Sequence, residues 1–165
     1  MIKVRPATTD DSVIISNIWN FYISNTTVTV NSAEKSNATV KNLIDSCKFD
    51  GRAFLLAEDE SDVIGFCTYF QFRNGTGYVK TMEHTIFTAT RAKRLGVGRA
   101  LMEALCHHAK EAGVKSLWGC VTSDNLEAKA FHESVGFSYI ARLPQVGLKF
   151  NRWIDLLLMQ KILAN

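Results

Sequence analysis

The stretch of sequence that decides the fold is Lys93–Arg99, which reads Lys-Arg-Leu-Gly-Val-Gly-Arg. It follows the apolar run Thr85–Phe87 and opens a segment with helical periodicity, so the sequence predicts a strand, a tight turn and a helix N-terminus. The first backbone N–H groups of a helix lack intrahelical partners, and the helix dipole adds partial positive charge beside them. Because glycines allow close approach and basic side chains add full charges, this stretch predicts a site for a phosphate or pyrophosphate.

Two common phosphate-binding loops are excluded by the residues around the two glycines. A dinucleotide fingerprint needs a third glycine at the position that Leu101 occupies. A Walker loop needs Gly-Lys-Ser or Gly-Lys-Thr after its spacer, and the chain contains neither. The loop alone also fits a glycine turn ahead of a solvated, basic helix start, so other segments must decide between the two interpretations.

Length and composition predict one globular domain, residues 1–165. The chain has 165 residues, 47% of them hydrophobic, which is enough for a sizeable core. A net charge of only +3, without a basic block among aromatics, argues against a nucleic-acid partner, and no apolar run approaches the roughly 18 residues of a membrane span. The N-terminus lacks a signal-peptide pattern, so we expect a cytoplasmic protein with no metal site and with reduced thiols. The cysteines are Cys47, Cys67, Cys106 and Cys120, and none belongs to a CxxC pair.

Hydrophobic periodicity and turn residues predict elements in the order β-α-α-β-β-β-α-β-α-β-β. Strands are expected at residues 2–5, 53–58, 63–72, 78–88, 117–122, 137–142 and 153–162. Helices are expected between the caps at 8–10 and the break at 25–27, and at 36–49, 96–112 and 125–135. A meander followed by β-α-β units predicts an α/β (α+β) fold, a mixed sheet with helices on both faces, in which the phosphate loop lies beyond the carboxyl end of a strand.

Several segments resemble one enzyme superfamily. The loop resembles the pyrophosphate loop of the GNAT N-acetyltransferases, Gln/Arg-x-x-Gly-x-Gly/Ala, with Lys93 where Gln or Arg is usual. The segment Asn125–Phe137 resembles their second acetyl-CoA helix, and its end, His-Glu-Ser-Val-Gly-Phe, is typical of the phosphinothricin acetyltransferase-like branch. The resemblance covers nearly the whole chain and implies the GNAT acyl-CoA N-acyltransferase fold. Further matching segments are Arg5–Asp11, Trp19–Thr27, Met82–Phe87 and Gly147–Asp155.

Acetyl transfer requires a neutral amine, because an ammonium group has no lone pair to attack a thioester, so a general base is expected. Partial burial on its strand would raise the pKa of Glu83 towards the working pH, and the resemblance implies that Glu83 is this base. The alternative is a solvated glutamate, or one paired with Lys80. The resemblance gives His132 one of two roles, a base acting through water or the acid that protonates the departing thiolate, with a packed helix histidine as the alternative. His84 should point to the opposite face from Glu83, so we expect it to be structural.

The resemblance also implies acetyl-CoA as the co-substrate, with direct transfer in a ternary complex and no covalent intermediate. The pantetheine arm would pair with the backbone of Ile86, Phe87 and Thr88, which also supplies the oxyanion donor, and the Asn125 side chain would hold its amide. The residues expected at the pyrophosphate are Lys93, Arg94, Leu95, Gly96, Val97, Gly98 and Arg99.

The acceptor is expected to be a small-molecule amine, selected by the loop after the first helix and by the meander just upstream of Glu83. Arg73 and Lys80 are candidates for binding its carboxylate or phosphinate, with Tyr78 beside them, and plain surface charge is the alternative. The resemblance favours the α-amine of a small amino acid or analogue (phosphinothricin, methionine sulfoximine or methionine sulfone) and a homodimer. Another amine, on a protein N-terminus, a polyamine or an antibiotic, stays open, as does a non-catalytic CoA-binding module.

Overall fold

Seven strands and four α-helices occur in the residues that the structure, a computed structural model, describes, which are 1–60 and 62–163. The strands form one sheet, in which the fourth and fifth are parallel and all other neighbours are antiparallel. The strands are β1 (Lys3–Pro6), β2 (Phe54–Asp59), β3 (Asp62–Gln71), β4 (Thr81–Thr88), β5 (Ser116–Thr122), β6 (Ser138–Lys149) and β7 (Arg152–Ile162). The helices are α1 (Ser12–Asn25), α2 (Asn37–Phe49), α3 (Val97–Glu111) and α4 (Leu126–Ser134).

The observed succession of helices and strands confirms the predicted one, and the sheet order is β1-β2-β3-β4-β5-β7-β6. One boundary differs at the start of β4, which begins at Thr81 rather than at residue 78. The chain forms a 3-10 turn at Thr76–Tyr78 after Gly75, whose φ of +119° suits glycine. None of the helices within the described residues is long and apolar enough to cross a membrane.

The larger difference concerns β6, which runs to Lys149 and not to residue 142. Two register shifts against β7, after Tyr139 and after Leu143, break the alternation by which a strand is recognised. Pro144 falls within this strand, and its missing N–H is tolerated because β6 is at the edge of the sheet.

Helices cover both faces of the sheet, as predicted. On one face α1 and α2 pack on β2 and β3 through residues such as Ile15, Trp19 and Phe66. On the other face α3 buries Leu101 and Leu105 against the sheet. Burying one large aliphatic side chain contributes about 1.5–3 kcal/mol, so these two cores account for much of the stability of the sheet and helices.

A separation between β4 and β5 positions the functional site. The two parallel strands pair only over Thr81–Glu83 and Ser116–Trp118. Beyond that point β4 stays paired with β3 up to Thr88, and β5 stays paired with β7. The carboxyl half of β4 therefore has a backbone edge that no described strand pairs with on the β5 side.

Candidate active site

A cavity of about 730 Å³ opens where β4 and β5 separate, and this volume is typical of sites for small-molecule ligands. Its wall comes from the carboxyl half of β4, the end of β5, the loop into α3, the helix α4 and the segment 28–31. Of the residues that the sequence predicts at the site, those in this wall are Glu83, Ile86, Phe87, Thr88, Lys93, Arg94, Gly96, Val97, Gly98, Arg99, Asn125 and His132.

The phosphate loop has the conformation that its glycines predict. Gly96 precedes α3 with a φ of +82°, in the left-handed region that favours glycine, and as the N-cap residue it offers no side chain to cap the first turn of the helix. At Gly98 an added Cβ would lie 3.2 Å from the ring of Phe131 on α4, so a small residue lets the two helices approach. Arg94 also adopts a positive φ of +64°, a strained conformation for a residue with a side chain. The uncapped N–H groups of α3 thus face the cavity beside basic side chains.

Glu83 lies at the last pairing position between β4 and β5 and lines the cavity. Its carboxylate is half-buried and takes part in none of the ion pairs among the described residues. Burial raises the pKa of Glu83, and a hydrogen bond from the Cys120 thiol offsets part of that rise. Lys80, the alternative partner, donates its ammonium group to the carbonyl of Ala112 at the end of α3. The carboxylate is therefore free to accept a proton.

His132 lies on α4 and contacts a second imidazole. Its Nε2 is 2.9 Å from Nε2 of His84 on β4, and the two rings are stacked with centroids 5.0 Å apart. Both side chains line the cavity; His84 packs on Phe137 of the core on the α3 side, and the unbroken register of β4 with β3 turns Glu83 to the other face. The direction predicted for His84 is thus confirmed, while its contact with His132 was missed.

Two further contacts shape the wall along β4. The hydroxyl of Tyr22 donates to the carbonyl oxygen of Thr88 at 2.6 Å, and its ring stacks on Phe87. The Asn125 side chain caps α4 by accepting from the N–H of Ala128 at 3.1 Å, which leaves its amide N–H₂ group for a ligand. These contacts fix the predicted pantetheine-binding segment and the start of α4.

Four of the predicted site residues lie outside this cavity. Leu95 belongs to the phosphate loop but is exposed and does not line the cavity. Arg73 lies over the ring of Tyr78, 5.7 Å from its centroid, in the loop between β3 and β4, and Lys80 binds the end of α3. The structure therefore does not bring Arg73, Tyr78 or Lys80 to Glu83.

Sequence reasoning pointed to the loop after the first helix without naming its residues, and it missed several other wall residues. The segment Val28–Asn31 forms part of the wall, and the buried Lys149 holds it by donating to the carbonyl of Thr29 at 2.7 Å. No motif points to this contact between residues 120 positions apart. Cys120 and Thr122 lie on the β5 side, where the alternation of the predicted strand was the available signal. Within the described residues no three His, Cys, Asp or Glu side chains form a group that could hold a metal ion.

Comparison with known protein families identifies the fold. Residues 4–158 match the family model described as an acetyltransferase (GNAT) domain. This chain belongs to the GNAT acetyltransferase family. The match confirms the family, the mixed-sheet fold and the enzyme class that the sequence predicts.

Individual relatives of this GNAT acetyltransferase resemble it over almost their whole length. The L-methionine sulfoximine/L-methionine sulfone acetyltransferase of Pseudomonas aeruginosa is 30% identical over 159 residues, 96% of this chain and 92% of the relative. A crystal structure of a ribosomal-protein-alanine N-acetyltransferase from Brucella melitensis is 34% identical, with a TM-score of 0.95 over 98% of this chain and 99% of that one. A phosphinothricin acetyltransferase from Sinorhizobium meliloti in complex with AcCoA is 26% identical, with a TM-score of 0.94 over 99% and 89%.

Proposed function

We propose that this GNAT acetyltransferase transfers the acetyl group of acetyl-CoA to the α-amine of a small amino acid or analogue of the methionine sulfoximine, methionine sulfone or phosphinothricin type. The observation that carries the proposal is Glu83, a half-buried carboxylate that none of the described residues pairs with as a cation, in the same cavity as the phosphate loop. The names of the Pseudomonas and Sinorhizobium relatives support this acceptor class, and the AcCoA complex supports the donor.

The residues of the cavity fit acetyl-CoA. The uncapped first turn of α3 offers backbone N–H groups to a pyrophosphate, and Lys93, Arg94 and Arg99 would add positive charge. The backbone edge at Ile86–Thr88, which no described strand pairs with on the β5 side, would pair with the pantetheine arm as a further strand does, and the amide N–H₂ of Asn125 would bind its carbonyl groups. Acetyl-CoA supplies a thioester whose carbonyl carbon an amine can attack.

The proposed reaction begins when Glu83 accepts one proton from the ammonium group of the acceptor, directly or through water. The neutral nitrogen bonds to the thioester carbonyl carbon, and a backbone N–H of Ile86–Thr88 stabilises the negative charge on the carbonyl oxygen. The C–S bond then breaks, the nitrogen loses its second proton and the thiolate takes one up. Burial raises the pKa of the Cys120 thiol, which favours direct transfer over attack by this cysteine.

A protein N-terminus is the second candidate acceptor. The observation that favours it is the Brucella structure, whose name specifies a ribosomal-protein alanine. Both candidates present an α-amine, so the same base and donor site serve either one. They differ beyond the α-carbon, where a free amino acid has a carboxylate and a protein N-terminus continues as a peptide. A panel of substrates that varies this group separates the two candidates.

We also propose that the enzyme is a homodimer in the cytoplasm. Large apolar side chains are exposed on β6, β7 and the turn between them, including Leu148 at 55%, Phe150 at 60% and Trp153 at 57%. Contiguous apolar surface of this kind is typical of protein interfaces. The unpaired cysteines suit a reducing compartment. Light scattering after gel filtration measures the mass, and a monomer at micromolar concentration contradicts the dimer.

The test of the function is free-thiol release from acetyl-CoA across a panel of amines. The panel contains methionine sulfoximine, methionine sulfone, phosphinothricin, ordinary amino acids, an alanine-initiated peptide, a polyamine and an aminoglycoside. We expect turnover with the amino-acid analogues, whereas turnover confined to the peptide would favour the second candidate.

The variant Glu83→Gln tests the base. We expect kcat to fall by roughly 10²–10⁴-fold with acetyl-CoA affinity retained, since a general base acts on the chemical step. Glu111→Gln is the control, because Glu111 is an exposed glutamate at the end of α3, outside the cavity. Unchanged turnover in Glu83→Gln contradicts the assignment.

A further inference from the structure

The contact between His84 and His132 has a defined pattern of donors and acceptors. Nδ1 of His132 lies 2.6 Å from the carbonyl oxygen of Ala128, and a carbonyl oxygen only accepts, so this nitrogen carries a proton. Burial lowers the pKa of both imidazoles, which keeps the rings neutral. A neutral His132 with its proton on Nδ1 has a lone pair on Nε2. The bond between the two Nε2 atoms is therefore donated by His84.

This pattern leaves one imidazole nitrogen free, and it belongs to His84. A neutral His84 that donates from Nε2 has a lone pair on Nδ1. This Nδ1 atom is buried and has no hydrogen-bond partner in the part of the chain that the structure describes. Both nitrogens of His132, in contrast, are occupied, one by Ala128 and the other by His84.

The surrounding residues are shaped to hold the two rings together. The side chains of His84 and His132 are 6% and 4% exposed. The rings lie over Gly119 of β5, where an added Cβ would come within 2.7 Å of Nε2 of His132 and 2.8 Å of Nε2 of His84. The backbone of Gly119 is outside the left-handed region, so the closeness of the rings, and not backbone strain, requires a glycine there. Phe137 stands edge-on to both rings.

We infer that His84 supplies the reactive imidazole nitrogen of this site and that His132 is its positioning residue. His132 holds His84 as the Nε2–H tautomer and thereby keeps a lone pair on Nδ1, a buried atom of a side chain that lines the cavity. We therefore assign to His84 the base or acid role that the sequence predicts for His132, an inference that rests on the proposed acetyl transfer. In that role Nδ1 takes one proton, relayed by water from the acceptor amine, and returns the same proton to the departing thiolate, so protons balance over a turnover.

Paired glutamine variants separate the two rings. His132→Gln keeps a side-chain oxygen that can accept from Nε2 of His84 but loses the ring that positions it, so we expect kcat to fall by about tenfold, less than in His84→Gln. His84→Gln keeps a donor for His132 but removes the titratable nitrogen, so we expect a fall in kcat of roughly 10²-fold, at the low end of acid–base contributions. His108→Gln is the control, because His108 hydrogen-bonds to Tyr69 away from the cavity. A larger loss in His132→Gln than in His84→Gln, or equal losses in both, overturns the inference.

A spectroscopic measurement keeps the inference testable should a variant fold poorly. Long-range ¹H–¹⁵N spectra of the full chain distinguish the two neutral imidazole tautomers. We expect the Nε2–H form for His84 and the Nδ1–H form for His132, and the opposite assignment overturns the inference. Activity that is lost in Glu83→Gln but unchanged in both histidine variants would leave the proposed acetyl transfer standing and refute only the role of His84.

Discussion

Gly96→Ala and Gly51→Ala add a methyl group at two glycines with matched surroundings. Their φ angles are +82° and +67°, and an added Cβ at either position meets no heavy atom within 4 Å. Each alanine therefore introduces only the strain of a left-handed backbone, about 1–2 kcal/mol. Gly51 lies in the turn after α2, whereas Gly96 directly precedes the phosphate-loop helix α3 and lines the cavity.

A strained loop at Gly96→Ala has two ways to respond. If the loop keeps its conformation, the free energy of unfolding falls by the whole strain and the affinity for acetyl-CoA does not change. If the loop relaxes, the free energy of unfolding falls less, but binding must restore the strained conformation and the affinity falls by the remainder. The loss in free energy of unfolding and the loss in free energy of binding together equal the strain energy. A strain of about 1–2 kcal/mol can therefore lower the affinity by at most about 5–30-fold.

Urea unfolding gives the loss of stability, and titration calorimetry with acetyl-CoA gives the loss of affinity. We expect Gly51→Ala to lose stability alone, which measures the strain directly. The two losses of Gly96→Ala should add up to that same value. A loss of affinity of about 10³-fold in Gly96→Ala, or no loss of either kind, would refute the reasoning that the left-handed conformation of Gly96 is what the ligand needs.

Shifted carboxyl pKa values lead to two further predictions. Because burial raises the pKa of Glu83 above its ordinary 4.5, kcat should fall as the pH drops through that raised value, and this pH dependence of kcat should be absent in Glu83→Gln. The same burial disfavours the charged form of Glu83, so Glu83→Gln should have a higher free energy of unfolding than the wild type at pH 7. Asp11→Asn should lower the free energy of unfolding by about 1.5–3 kcal/mol at pH 7, since Arg5 donates two hydrogen bonds of 2.9 Å to this buried carboxylate. The hydrogen bonds from Arg5 lower the pKa of Asp11, so the carboxylate contributes to the free energy of unfolding above pH 3.8, and this contribution is lost as the pH falls below that value. Urea unfolding in which the wild type and Asp11→Asn differ in stability by the same amount at pH 7 and at pH 2 contradicts this prediction.

Local patterns explain how far the fold could be predicted. The phosphate loop and the helix after it depend on neighbours within a few residues, such as Gly96 and Gly98, so they were placed correctly. The end of β6 depends on its register with β7, which shifts twice, and a shifted register moves side chains to the other face. A pattern of period two therefore stops being visible at residue 142, although the strand continues to Lys149.

Long-range contacts explain what was missed at the site. Lys80 was considered beside Glu83 because the two are close in sequence, but its ammonium group reaches Ala112 at the end of α3. The wall segment Val28–Asn31 is held by Lys149, which is far away in the chain. Neither partner can be deduced from the local sequence, because each depends on how the elements pack.

The alternation of side chains along β4 explains why His84 was expected to be structural. Glu83 and His84 do point to opposite faces, and in a continuous sheet the neighbouring strand would keep them in separate environments. Here β5 leaves β4 directly after Glu83, so one cavity reaches both faces of the strand. Two adjacent residues can then reach one cavity from opposite faces of the strand. The chemistry proposed for this site thus depends on where the pairing of β4 and β5 ends as much as on the residues themselves.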